Sequence, residues 1–412
     1  MRWVRERWAR LLVFFAVMGP GIITGNVDND ANGIATYSVA GATFGYGLLW
    51  TLILSTVVLV IVHDMVTRMG ATTGKGLADL IRERFRVRLT VFLMGVLIVV
   101  NWGNTVGDFA GIAGAMEIFG VSRYLAVPVA VVLVWLLVVR GSYRFVERMF
   151  LGAVIIYVTY VISAILARPA WGTVLREAVT PSFQLGRPYL TLVVGLIGTT
   201  VAPWMQFYQQ AAIVDKGIGE REIRYARWDT YLGVISLNLV AFFIVVACGA
   251  TLFARGVTVT TAADAAAALR PLAGAYAAGL FALGLLNASL FSVAIIPLST
   301  AYAVCEAFGW EAGLDRSPRE APAFVGLFTA MILVSALVIM LPGVPLIPVM
   351  LFSQVLNGVL LPLVLVFLIL LTGDREIMGR HRNSSAFSLS AWVLVVALAA
   401  LSLLLAVAAL VG

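Results

Sequence analysis

Along most of the chain apolar residues run in unbroken stretches, with neither the alternation of a half-buried strand nor the single stripe of a soluble helix. Stretches long enough to cross about 30 Å of hydrocarbon fall near 11–43, 46–68, 89–119, 122–140, 146–167, 188–213, 228–254, 270–307, 322–341, 344–372 and 386–411. About eleven spans are therefore expected. All should be helical, because backbone groups in lipid must bond within their own segment unless a barrel closes, and barrel alternation is absent. The first, third, sixth and eighth have room for a break or an extramembrane extension. Two of these carry break signals. Gly19-Pro20-Gly21 opens the first, the polar run Gly25-Asn26-Val27-Asp28-Asn29-Asp30-Ala31-Asn32-Gly33 follows, and the apolar pattern then resumes. The sixth reads Gly195-Leu196-Ile197-Gly198-Thr199-Thr200-Val201-Ala202-Pro203. Interrupted spans in comparable places of two halves predict a 5+5 inverted repeat within a single transmembrane domain over 1–412. Repeat one is expected near 11–167, repeat two near 188–372, and an additional helix near 386–411. The Ala-rich run 261–268 reads as an outer loop entering a helix.

Composition sharpens this into an integral membrane protein. Of 412 residues 61% are apolar and 12% charged, against about 25% charged in soluble domains. The lipid bilayer is thus the main partner of the surface. Basic Met1–Arg10 leads into an apolar stretch with no small-residue cleavage site, so no cleavable signal is expected. With the N-terminus inside, 22 of the 28 Lys and Arg fall on the cytoplasmic side. Only Arg123, Arg168, Arg176, Arg187, Arg255 and Arg270 fall outside. This predicts the N-terminus in the cytoplasm, the C-terminus outside, and a cell-membrane location. The net charge of +7 needs no nucleic acid to explain it. Cys248 and Cys305 lie in apolar spans and read as small core residues.

A carboxylate at a helix centre costs about 2.5–3.5 kcal/mol on insertion scales. Asp28 and Asp30 stand two residues apart at membrane depth, with Asn26, Asn29 and Asn32 around them and no basic residue in the run. Such acids invite a cation, and hard oxygen ligands suit Mg²⁺, Ca²⁺ or Mn²⁺. A polar loop at a helix end is the plainer alternative.

The run from Gly19 to Trp50 resembles the first-helix signature of the Nramp family of transition-metal transporters, in which GPG precedes the Asp of a DPGN motif by eleven residues. The similarity continues in Phe44-Gly45-Tyr46, Arg68-Met69-Gly70, Thr73-Gly74-Lys75, Asp229-Thr230, Ser353-Gln354-Val355 with Leu361-Pro362, and Met378-Gly379. The resemblance implies a LeuT-type fold with discontinuous first and sixth helices. It also implies a divalent-cation transporter with no resident cofactor, and it places the metal-binding Asp at Asp30. Where the family has its metal-binding Asn this chain has Gly33. Where the family reads A-x-x-M-P-H the chain has Thr199-Thr200-Val201-Ala202-Pro203-Trp204, so Ala202 replaces the thioether ligand and Trp204 a histidine. Gln209 replaces a second histidine, and an Asp-x-x-Glu pair used in proton movement becomes Thr105-x-x-Asp108. Asp28-Asn29-Asp30-Ala31 with Trp204 is similar to the subgroup called Nramp-related magnesium transporters.

These departures fit the chemistry of a hard ion. A sulfur ligand selects softer metals over Mg²⁺, and its loss removes that discrimination. Gly33 and Ala202 imply a roomier site, suited to an ion that keeps part of its water shell. Expected contacts are Asp30 as direct or water-mediated ligand, Asp28 or Asn29 as a second, the Thr199 carbonyl, and Gln354, which could equally bond a neighbouring helix. Asp108 could hold a water or a cation, or could pair with Asn101 or Asn104. Asp229 is expected to cap the helix it opens, His63 to be a satisfied interface residue, and His381 to be solvated. An enzyme is not expected: H-E-x-x-H, G-x-S-x-G and phosphate-loop motifs are absent. An organic-substrate carrier would favour an uncharged first break. The rival metal reading is a proton-coupled Mn²⁺/Fe²⁺ importer, which Thr105, Trp204 and Gln209 disfavour because none of them titrates near neutrality.

Overall fold

A computed structural model of the chain describes residues 19–140, 157–314 and 316–411. The lead-in of the first span, the start of the fifth, and Arg2, Arg5, Arg7, Arg10, Arg144 and Arg148 lie outside the described residues. The principal helices are α1 (Pro20–Val27), α2 (Ala31–Phe44), α3 (Leu49–Thr73), α4 (Leu77–Arg84), α5 (Val87–Ile118), α6 (Arg123–Arg140), α7 (Val158–Leu166) and α8 (Trp171–Val179). They continue as α9 (Arg187–Thr200), α10 (Pro203–Asp215), α11 (Ile223–Thr251), α12 (Ala277–Phe308), α13 (Pro322–Met340), α14 (Leu346–Gly373) and α15 (Ser385–Val411). Among the described residues no strand occurs, and nine helical spans are long and apolar enough to cross a bilayer. The broken first span and the described end of the fifth, α7, complete the predicted order. The Ala-rich run forms a short helix at Ala262–Ala266 that turns into α12.

Both predicted breaks are present, and each has a local cause. After Val27 the chain leaves the helix, and Asp30 adopts an extended backbone to cap α2, its carboxylate accepting from Gly33 N at 2.6 Å. The carbonyls freed at the break are taken by other helices: Ser292 donates to Val27 O at 3.1 Å and Tyr157 to Asn29 O at 2.8 Å. In the sixth span Pro203 brings no N–H and starts α10, with extended Ala202 before it. The helix α1 lies so close to α11 that a Cβ on Gly21 would stand 2.6 Å from the Thr230 backbone.

Asp229 corrects a sequence expectation. The helix α11 starts at Ile223, so Asp229 sits well inside it and caps a different helix. Its two oxygens accept from Gly19 N at 3.0 Å and Gly21 N at 2.7 Å, the first amides of α1. The capping position of α1 is itself glycine, with no side chain to offer. A neighbouring acid therefore supplies what the local sequence lacks.

Charge divides the two ends of the bundle. At one end Asp64 accepts from Arg68 at 2.8 Å, Arg227 at 2.6 Å and Tyr231 at 2.8 Å. Arg68 also donates to His381 O and to Asn383 Oδ1, at 2.6 and 2.7 Å, tying the loop after α14 to α3. The opposite end carries Arg123 with Glu117, at 2.8 Å.

Replacing Asp229 by Ala should strip both α1 amides of their acceptor, at about 1–3 kcal/mol for each buried donor left unpaired. The thermal midpoint in detergent should fall for Asp229→Ala and fall less for Asp229→Asn, which keeps one acceptor. Equal midpoints for wild type and Asp229→Ala would show that the cap contributes nothing.

Candidate metal site

The site forms where the first break meets α5. Asp28 and Asp30 are buried, 3% and 4% exposed, and Asn29, Asn32 and Asp108 are fully buried. Asn32 joins them. Its Nδ2 donates to Asp30 Oδ2 at 3.0 Å, to Asp108 Oδ1 at 3.0 Å and to Asn104 O at 3.2 Å. Its Oδ1 accepts from Ser353 of α14 at 3.3 Å. Gly107 makes this possible, since any Cβ there would overlap the Asn32 amide oxygen. Asp30 and Asp108 thus face one shared amide. Among the described residues no basic side chain pairs with Asp28, Asp30 or Asp108.

Several oxygens here have no hydrogen-bond partner: Asp28 Oδ2, Asn29 Oδ1, Asp108 Oδ2 and Thr199 Oγ1. Of these, the Thr199 hydroxyl borders Gly33, beside oxygens of Asp28 and Asp30. A Cβ on that glycine would lie 3.0 Å from Asp28 O, 3.1 Å from Thr199 Oγ1 and 3.3 Å from Asp30 Oδ1. Buried orphan acceptors and neighbouring carboxyl groups are costly unless positive charge joins them. A bound cation would supply it. Every donor in the group is an oxygen. Among the described residues no three His, Cys, Asp or Glu side chains converge on one point, so carbonyl, amide and hydroxyl oxygens would supply the remaining contacts.

The sequence-derived candidates divide into two groups. Asp28, Asp30, Gly33, Asp108 and Thr199, the last by its hydroxyl and not the expected carbonyl, come together, whereas the Asn29 amide nitrogen is turned to Leu237 O of α11 at 3.5 Å. Ala202 is buried at the second break, offers no side-chain donor, and its carbonyl accepts from Met205 N at 3.2 Å. Gln354 is turned to its neighbours instead: its amide nitrogen donates to Asn104 Oδ1 at 3.3 Å, and its oxygen accepts from Asn357 at 2.8 Å. Thr105 donates to Asn101 O of its own helix at 2.8 Å. Trp204 is buried in the first turn of α10, 6.2 Å from the Tyr208 ring. Gln209 lies between α3 and α11, donating to Thr67 and Thr230 at 2.9 Å each. His63 is buried near Gln209, with no partner for Nε2. Asn32 was not among the candidates. Its signal was present, two residues beyond Asp30 with an amide able to bridge acids, as was the one-turn spacing of Asn104 and Asp108.

Known proteins share this frame. Residues 21–408 match the family model of natural resistance-associated macrophage protein-like (Nramp) proteins. The divalent metal cation transporter MntH of Ralstonia nicotianae is 31% identical over 415 residues, covering 94% of this chain and 89% of that protein. A crystal structure of the Eremococcus coleocola manganese transporter, in complex with an aromatic bis-isothiourea compound, superposes with a TM-score of 0.76. It is 22% identical and covers 95% of this chain and 86% of that one. Mhp1, a nucleobase-cation-symport-1 family transporter, superposes in its closed conformation with a TM-score of 0.59, at 15% identity and over 96% and 91% of the two chains. The structural likenesses establish the LeuT-type fold. With a family match over nearly its whole length, the chain belongs to the Nramp family.

Proposed function

We propose that this protein imports divalent cations, Mg²⁺ and with it Mn²⁺, across the cytoplasmic membrane as partly hydrated ions and without a proton partner. The observation that carries the reading is the all-oxygen group around Asp30, Asp28, Asp108 and Thr199, which contains no sulfur or imidazole. Oxygen donors suit hard ions, and Mg²⁺ keeps several waters while touching one or two carboxylates. Ala202 leaves nothing soft in the site to favour a transition metal. The basic end, with Arg68, Arg227 and the loop 374–383, is taken as cytoplasmic on the excess of Lys and Arg there.

A proton-coupled Mn²⁺/Fe²⁺ importer is the second reading. The manganese named for the Eremococcus protein favours its metal, and Asp30 and Asp108, two carboxyl groups on the one Asn32 amide, offer a place for a proton. Against it stand Trp204, Gln209 and Thr105, none of which can carry a proton near neutral pH. Energetics do not require coupling. A divalent ion gains about 4.6 kcal/mol from 100 mV inside-negative, more than a thousandfold in concentration ratio.

Selectivity separates the two readings first. Proteoliposomes should take up both ions, with Mn²⁺ uptake suppressed by millimolar Mg²⁺. Asp30→Ala should abolish uptake in a protein that still elutes as wild type. Mn²⁺ uptake indifferent to Mg²⁺ would sink the magnesium reading.

Gly33→Ala would press a methyl group against Asp28 O, Thr199 Oγ1 and Asp30 Oδ1. Uptake should fall about tenfold or more, as for roughly 1.4 kcal/mol lost at the site, while expression stays normal. Unchanged uptake would place the ion elsewhere.

Coupling is tested with a pH-sensitive dye inside the vesicles. Under a metal gradient and negative potential, the interior pH should stay constant as metal enters. Acidification that tracks metal entry, and is missing in empty liposomes, would establish the proton-coupled alternative.

A further inference from the structure

Three of the six basic residues assigned outside, Arg168, Arg176 and Arg187, lie on one strap that joins the fifth and sixth spans. The strap holds α8 and the extended segment after it. The helix α8 buries Val174 and Ala178 toward the bundle. Trp171, Leu175 and Val179, one turn apart, remain exposed on an adjoining side, and Phe183 and Leu185 continue the apolar surface. All three arginines are exposed. Among the described residues only Arg176 makes an ion pair, at 3.2 Å with Glu177 beside it, and at 69% exposure this pair contributes little. At Arg168 the backbone turns through the left-handed region, φ 51°, as the chain leaves α7. The result is an apolar strip edged by cations.

We propose that the strap from Arg168 to Arg187 binds the phosphate headgroups of anionic phospholipids, and that it passes this contact to the outer halves of both broken helices. The apolar strip sinks between acyl chains while the arginines reach phosphate, the arrangement of an interfacial helix. Charge decides among occupants. With Glu177 its single acid, the strap is net positive, so a second copy docked through a two-fold axis would set like charges against each other. A zwitterionic phospholipid also offers a phosphate but brings no net negative charge to offset the arginines.

The strap is also fastened to the helices that flank the site. Ser182 donates to Gly47 O at 3.0 Å, and the Phe183 ring lies 5.1 Å from Trp50 at the start of α3. Trp50 donates to the Tyr189 hydroxyl of α9 at 3.3 Å, Tyr189 donates to Ser182 O, and its ring lies 5.4 Å from Phe44 at the end of α2. The helix α2 begins at Asp30, and α9 ends beside Thr199. Lipid held by the strap therefore bears on both elements that carry the candidate ligands.

The test uses the full chain in nanodiscs of phosphatidylcholine with and without phosphatidylglycerol. Native mass spectrometry should show phosphatidylglycerol retained preferentially by wild type. The R168Q/R176Q/R187Q variant should lose about fivefold in preference per arginine, the scale of one basic residue near an anionic surface. R255Q/R270Q should keep it. Brominated phosphatidylglycerol should quench wild-type fluorescence more than that of Trp171→Phe. Hydrogen exchange at 44–50 and 182–190 should slow when the anionic lipid is present. If the triple variant misfolds, R176Q alone should show the loss for one arginine. Preference unchanged in a well-folded variant, no exchange difference, or a dimer that shields Trp171 from quenching would overturn the proposal. None of these readouts involves ion uptake, so the result is independent of the cargo.

Discussion

A helix broken inside a membrane leaves backbone groups that lipid cannot satisfy, and the rest of this structure is arranged around that constraint. The break between α1 and α2 is sustained because Tyr157 and Ser292 reach its carbonyls and the Asp30 carboxylate caps the resumed helix. Asp229 does the same for the start of α1 from across an interface. The polar groups that hold the break open also concentrate acceptor oxygens where, among the described residues, no basic side chain pairs with them. What stabilises the backbone thereby gathers buried carboxyl groups that a cation would compensate.

The breaks were legible because hydrocarbon removes the ambiguity that water introduces. A glycine, proline and acid run inside an apolar span has few outcomes other than an interruption. The burial of Asp28 and Asp30 at the first break was legible for the same reason. The directions of side chains were not. Gln354 bonds to Asn104 and Asn357 within its own neighbourhood, because several amides competed for the same partners and the sequence does not rank them. Asp229 was assigned to the wrong helix end, since a cap supplied across an interface depends on packing that spacing along one chain does not encode. Asn32 was overlooked because its importance comes from two acids on different helices, Asp30 and Asp108, which only folding brings together.

The two ends of the bundle are held by different physics. At the basic end Asp64, 5% exposed, holds two arginines at once, so separating α3 from α11 there would leave a largely buried carboxylate uncompensated. At the other end the ties between α2, α3 and α9 are aromatic packing and neutral hydrogen bonds through Trp50, Tyr189 and Ser182. Such contacts contribute about 1 kcal/mol each and can re-form in a new register. The end with strong, specific pairs resists opening more than the end with weak, replaceable ones. A site that must face both solutions in turn therefore opens the two sides against unequal resistance, and the ion's own binding energy has to help overcome the larger one.

That requirement limits how tightly the site should bind. Millimolar affinity corresponds to about 4.1 kcal/mol and nanomolar to about 12.3, while a membrane potential of 100 mV supplies about 4.6 kcal/mol to a divalent ion. A sulfur-containing site gains affinity and selectivity for a scarce metal, but an ion held that firmly leaves slowly unless a second gradient drives its release. Oxygen ligands without sulfur or imidazole, as proposed around Asp30, would match the smaller figure. On the proposed reading, the same donor set that weakens selectivity would let the potential alone drive the ion through. On that reading, Ala202 in place of a soft ligand and Trp204 and Gln209 in place of titratable groups are one change: a weakly held ion would need no proton to dislodge it.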